Sequence, residues 1–188
     1  MRLSPTGSLF AGPHREHAVV LVVTNAPEPW LRGPLAGVHP VLAPVFFSFQ
    51  QVREDLARHT SDLTEEQLWR VTPAGVLGFH LKHLAGSVDR ISTYLVGDQL
   101  NQEQLKFLSS ESAAGESLKD LLALIDAQLS NSERKLFAVD PQQLYEPRGV
   151  GRQRLPSTVV GLIVHLAEHT QRHLGQIIVL SKLLRPGS

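Results

Sequence analysis

TVVGLIVHLAEHTQRHLGQIIVLSKLL, residues Thr158–Leu184, is the stretch whose reading decides the fold. Val159, Leu162, Ile163, Leu166, Leu174, Ile177, Leu180 and Leu184 recur at three- and four-residue steps, which marks the buried face of a long α-helix. His169 and His173 lie on the same stripe. Imidazoles four residues apart stand one turn above each other with Cβ atoms roughly 5–6 Å apart, so both reach a single ion. One helix therefore offers two metal ligands, and a third has to come from elsewhere.

GVLGFHLKHLAGSVDRISTYL, residues Gly75–Leu95, offers it. Leu77, Leu81, Leu84, Val88, Ile91 and Leu95 form a second inward stripe, with His80 and His83 on its two edges. Three residues apart, these two rings lie about 60° from each other around the helix and do not reach one ion symmetrically. His165 lies one turn before His169, rotated about 40° from the centre of its stripe. His80 and His165 are read mainly as packing groups or groups that orient the ligands, and each stays open as an alternative ligand. Glu168 and Gln176 are candidates to accept the second N–H of an imidazole, although Glu168 reads equally well as a solvated residue. Ser87, Arg90 and Tyr94 continue along the helix from His83 and line either a pocket or the bundle surface. Gly86 and Gly175 each cost about 1 kcal/mol relative to alanine, for which the close approach of another helix is the expected reason.

The spacing in HTQRH has no acid at the position that HExxH metalloproteases use, so that chemistry is not indicated. Three neutral imidazoles suit Zn²⁺, Ni²⁺, Fe²⁺ or Co²⁺ and leave a coordination position open for water or substrate.

Composition narrows the alternatives. The 188 residues can bury one sizeable core, and 18 basic against 18 acidic side chains leave no net charge to attract nucleic acid. The absence of cysteine excludes disulfides, thiolate metal sites and a cysteine nucleophile. No apolar run approaches the roughly 18 residues that span a bilayer. AVVLVVT (Ala18–Thr24) is too short, and its flanks do not resemble a secretory signal, so no membrane association and a cytoplasmic location are expected.

Read in order, residues 1–37 form an irregular, proline-rich extension in which Ala18–Thr24 is a possible strand and Trp30 packs against the remainder; residues 38–188 form the folded domain. A first helix starts near Pro40 or Pro44 and runs to about Arg58, burying Leu42, Val45, Phe46, Phe49, Val52 and Leu56. Thr64 and Gln67 make a capping-box pattern for a short helix. The second long helix covers about 74–96. A link of some sixteen residues follows, too long for a tight hairpin, so the third helix is expected to run parallel to the second by a crossover. That third helix runs from a Ser117 cap to about Phe137. The segment after Asp140-Pro141 reads as an ordered loop or small hairpin leading to the last helix. The fold class is all-α, a four-helix bundle.

FHLKHLAGSVDR in the second helix and HLAEHTQRHLGQI in the last together resemble the DinB-like superfamily of metal-dependent four-helix bundles, over about residues 38–184. The resemblance implies His83, His169 and His173 as ligands of a divalent metal ion, a bundle of unusual connectivity, and a homodimer. It also implies a metal-dependent enzyme, a hydrolase or a thiol-dependent transferase, acting on a small-molecule substrate with a low-molecular-weight thiol as a possible partner. The alternative is a non-catalytic, stress-related, metal-binding dimer. Since the chain has no cysteine, any thiol is a cosubstrate. Arg148, Arg152 and Arg154, before the last helix, are candidates for binding an anionic substrate or plain surface residues.

Overall fold

The computed structural model describes residues 26–185. Six helices carry the chain: α1 (Ala43–Thr60), α2 (Glu65–Trp69), α3 (Leu77–Leu95), α4 (Gln102–Ser110), α5 (Leu118–Phe137) and α6 (Val159–Leu183). A two-stranded antiparallel hairpin, β1 (Pro147–Val150) with β2 (Leu155–Thr158), precedes α6, with Pro147 opposite Thr158. α1, α3 and α6 bury the apolar stripes read from the sequence, α5 adds Leu121, Ile125, Leu129 and Leu136, and Val45, Phe49, Leu84, Leu129, Leu166 and Leu180 are wholly enclosed.

Side-chain pairs fix the helix directions. α3 packs on α6 antiparallel, with His80 against His173 and His83 against His169. α3 and α5 run parallel, because Lys82 meets Glu116 at one end and Ser92 bonds Ser132 at the other, at 2.7 Å. α1 and α6 are also parallel, linked by Ser48 to Thr170 and by the His59 carbonyl to Arg185. α1 runs antiparallel to α5, with Phe46 on Phe137 and Arg53 bridging Asp126 and Glu133. The crossover anticipated from the length of the link is present, and it contains α4, a helix of nine residues rather than a single turn.

Local chemistry sets the boundaries. Thr64 and Asn101 make reciprocal capping boxes with Gln67 and Gln104, and the Ser117 and Thr158 side chains each accept an N–H of the first turn that follows. The hairpin accounts for two more donors of α6: Val159 and Val160 give their N–H groups to Glu146 and Leu144 carbonyls. Arg148 donates to the Leu95 carbonyl, fastening β1 to the C-terminal end of α3.

One polar group is buried deeply enough to require an account. Lys82 is only 2% exposed, yet its ammonium gives hydrogen bonds to the Ser110 and Ala113 carbonyls and pairs with Glu116 at 2.8 Å. All three donors of the ammonium are used, and a cation at the C-terminal end of α4 is favoured by the exposed carbonyls there. Lys82 thus pins the crossover to α3.

The N-terminal region differs in part from expectation. Ala18–Thr24 lies outside the described residues. Trp30 sits in a single 3₁₀ turn, 60% exposed, donating its indole N–H to Glu28 rather than packing into the bundle. Arg32 reaches Glu54 of α1 and ties this segment down.

Replacing Lys82 by methionine leaves the Ser110 and Ala113 carbonyls without this donor and Glu116 without its cation. Urea unfolding is expected to show a loss of about 1–3 kcal/mol, with amide exchange accelerated in α4 before the rest of the bundle.

Candidate metal centre

The antiparallel contact of α3 with α6 brings His83 to the two imidazoles that α6 stacks one turn apart. His83 Nε2 lies 3.1 Å from His169 Nε2. Ring centroids are 4.5 Å apart for His83 and His173 and 4.6 Å for His169 and His173. One nitrogen from each of the three falls within 4.8 Å of the other two.

These distances fit an ion. Two nitrogens each 2.0–2.1 Å from a tetrahedral zinc ion stand about 3.4 Å apart, close to the 3.1 Å separation of His83 and His169. Two lone pairs at that range are reconciled only by a proton between them or by a cation. Tautomer logic points the same way. His83 Nδ1 donates to the Glu111 carboxylate at 2.7 Å, so its Nε2 carries the lone pair that faces His169. His169 Nδ1 is buried with no hydrogen-bond partner, which leaves Nε2 as the working nitrogen of that ring. The described residues thus fit a divalent metal held by His83, His169 and His173.

Electrostatics keep the rings uncharged. Burial, reinforced by His83 and Arg172 among other neighbours, lowers the pKa of His169 from the usual 6.5 to about 4. Burial and the three other histidines lower that of His173 to about 3. His80 is lowered as well, by burial first and then by His83. At neutral pH these imidazoles are neutral and offer lone pairs.

His80 does not converge with the three. Its Nδ1 lies 3.0 Å from His173 Nδ1, so it stands behind that ring as Glu111 stands behind His83. Phe79 stacks on His83, at 5.5 Å between ring centroids, and meets His80 edge-on, limiting rotation of both. His165 is half exposed, 5.1 Å from His169 between ring centroids, with Nδ1 3.4 Å from Glu168.

Several sequence expectations need correction. Glu168 is an exposed residue that pairs with Arg172 and His165, since one step from His169 along a helix is a rotation of about 100° away from the site. Gln176 is exposed on the outer side of α6 and makes no hydrogen bond among the described residues. Gly175 faces open space, with nothing near a Cβ built there, so no helix approaches it. Arg148 is engaged with the Leu95 carbonyl and Glu146. Gly86 does have a packing reason, but the neighbour is a crossover side chain rather than a bundle helix. A Cβ at this position would come within 2.4 Å of Glu111 and 2.6 Å of Arg90.

Glu111 is the residue that sequence reading misses. It is only 3% exposed, and its two oxygens divide between His83 Nδ1 and Arg90 Nη1, the latter at 2.5 Å. Nothing in SSESA marks it, because it lies in the link and belongs to no stripe. The readable signal was on α3, where a glycine one turn before an inward arginine leaves room for a carboxylate.

The imidazoles open onto a cavity of about 350 Å³ lined by His83, Ser87, Arg90, Tyr94, Leu162 and His165, among others, with Val150 and Ser157 of the hairpin closing one side. A larger cleft of about 790 Å³ lies between α1 and α6, around Trp30, Phe47 and Gln171. It contains none of the three converging histidines, so the chemistry belongs to the smaller space.

Among known proteins, the family model described as the DinB superfamily matches residues 48–177, which include all three converging histidines. No curated protein matches the chain.

Glu111→Gln keeps the shape but weakens the polarisation of His83, and metal affinity measured by competition with a chelator is expected to fall by roughly 10–100-fold. The metal-free protein has a pH signature as well. Unfolded histidines take up protons below about pH 6.5, whereas His169 and His173 resist until about 4 and about 3. The unfolded state binds more protons in that window, so stability is full above pH 6.5 and is lost as pH falls. Thermal unfolding of metal-free protein at pH 7.0, 6.0 and 5.0 is expected to show a progressively lower midpoint, and equal midpoints would contradict the burial of neutral rings.

Proposed function

From the chain's membership of the DinB superfamily, we propose that the protein is a metal-dependent enzyme, a hydrolase or a thiol-dependent transferase, with His83, His169 and His173 as ligands of its ion. The observation that carries this reading is the meeting of three imidazoles, with no acid among them, two of which line the wall of a cavity able to admit a small molecule. A divalent ion held there supplies a Lewis acid that brings bound water toward a pKa of about 7 or stabilises a thiolate. The chain has no cysteine, so in the transferase reading the thiol enters as cosubstrate.

The protein's own groups divide the remaining work. Glu111 and His80 fix the rings of His83 and His173 from behind. Phe79 and Leu162 keep the imidazoles in apolar surroundings. His165 lines the cavity with Nδ1 toward Glu168, leaving Nε2 as the acceptor for a proton released from water or thiol.

Metal analysis of protein purified without an affinity tag is expected to give about one equivalent. That equivalent should be lost in His83→Ala, His169→Ala and His173→Ala and kept in His39→Ala, which alters an exposed histidine outside the site. Loaded protein is then offered an ester alone and an epoxide or alkyl chloride with a low-molecular-weight thiol. Turnover that needs the ion identifies the enzyme, and dependence on the thiol separates transferase from hydrolase. A full equivalent of metal without any turnover points to a structural ion.

A further inference from the structure

Arg90 is almost enclosed, its side chain only 10% exposed, and it lines the cavity that His83 and His169 share. Its Nη1 bonds Glu111 at 2.5 Å, and among the described residues its Nε and Nη2 make no hydrogen bond. Neither nitrogen is among the buried polar atoms left without a partner, so both keep access to the cavity, and the planar fork is built to give parallel bonds to an oxyanion that enters it. Tyr94, three turns beyond His83 on the same face of α3, also lines this cavity, and its hydroxyl has no partner among the described residues.

Position makes these spare donors informative. Glu111 gives one oxygen to His83 and the other to Arg90, so a single carboxylate separates the guanidinium from a ligand imidazole. An anion received by Arg90 therefore lies next to the three histidines. Charge points to the same occupant. The Glu111 carboxylate offsets Arg90, and a divalent ion, were one held by the three histidines, would add positive charge that an incoming anion offsets. Ile91, Leu100, Leu108, Val150 and Leu162 make one apolar part of the wall, while Ser87, Ser157 and His165 add polar groups to it. A second cavity that shares Tyr94, Leu100 and Leu108 extends the space toward Leu105 and Arg152.

We propose that Arg90 is the substrate-anchoring residue of this site and that the substrate is a small organic carboxylate with an apolar body. The carboxylate lies on the free edge of Arg90, the apolar body runs along Leu100 and Leu108, and the reacting atom faces the three histidines. The substrate class rests on the metal-enzyme reading, but the anion site itself does not require it. Of the arginines before α6, Arg148 is already occupied, and Arg152 lies at the outer end of the space, where it can meet only a longer ligand.

Hexanoate and hexanamide, equal in length and shape but different in charge, test this by calorimetric titration on protein whose metal content is measured in the same samples. Hexanoate is expected to bind at least about tenfold more tightly than hexanamide. Arg90→Met is expected to remove that preference, and Arg90→Lys, which keeps the charge without the fork, to restore only part of it. Since Arg90→Met also frees Glu111, the unaltered protein is followed separately: the Arg90 Nε–H resonance should shift on hexanoate addition and stay in place on hexanamide addition. Equal affinity for the two probes, or a stationary Arg90 resonance under hexanoate, overturns the proposal. If hexanoate meets these expectations on protein that holds no metal, the anion site stands and the metal-enzyme reading falls, so the two failures are distinguishable.

Discussion

Everything in this molecule depends on keeping three imidazoles close together inside an apolar bundle. Such an arrangement calls for a shared proton or a cation, because His83 and His169 bring ring nitrogens 3.1 Å apart and His169 Nδ1 has no partner. The bundle supplies the restraint. α6 holds His169 and His173 one turn apart, and the antiparallel packing of α3 brings His83 to them. Phe79, Glu111 and His80 then fix the rings. Stability and site therefore draw on the same contact between α3 and α6.

The crossover is a working part of that restraint. Had α3 and α5 been joined by a tight antiparallel turn, no α4 would exist and no carboxylate would reach behind His83. The parallel arrangement requires a long link, and the link carries Glu111. Lys82 holds the carbonyls of Ser110 and Ala113 on either side of Glu111, while Gly86 leaves the space that the Glu111–Arg90 pair occupies. Neighbouring residues of α3 thus serve opposite ends of one device: His83 faces His169 and His173, and Lys82 fastens the segment that steadies His83. Membership of the DinB superfamily is consistent with this economy, since the matched residues 48–177 run from α1 through the crossover to the α6 histidines.

Much of this was legible in the chain, because helical periodicity reports directly on burial. The stripes of α1, α3 and α6 lie in the observed core, the Thr64 and Ser117 caps stand where their side chains predicted, and the long link announced the parallel pair. The pairing of His169 with His173 could be read from spacing because a helix places residues four apart on one face, whereas the choice of His83 over His80 came from the resemblance to the family. What could not be read came from contacts between segments distant in sequence. Glu111 sits in a stretch without periodicity and acquires its partners only when α4 folds back on α3. Of the two candidates to accept an imidazole N–H, Gln176 is turned outward by rotation about the helix axis, and Glu168 takes the solvated alternative. Gly175 was given a reason by its neighbours in sequence, whereas the structure gives it only open space.

The most direct measurement is X-ray absorption on protein loaded with one equivalent of zinc. The account predicts a first shell at about 2.0–2.1 Å in which outer-shell scattering counts three imidazoles, with a light-atom ligand completing four-coordination. His83→Ala should then yield either no bound ion or a site with two imidazoles. A spectrum dominated by carboxylate oxygens, or three imidazoles that persist after His83 and His173 are both replaced, would place the ion elsewhere and contradict the account.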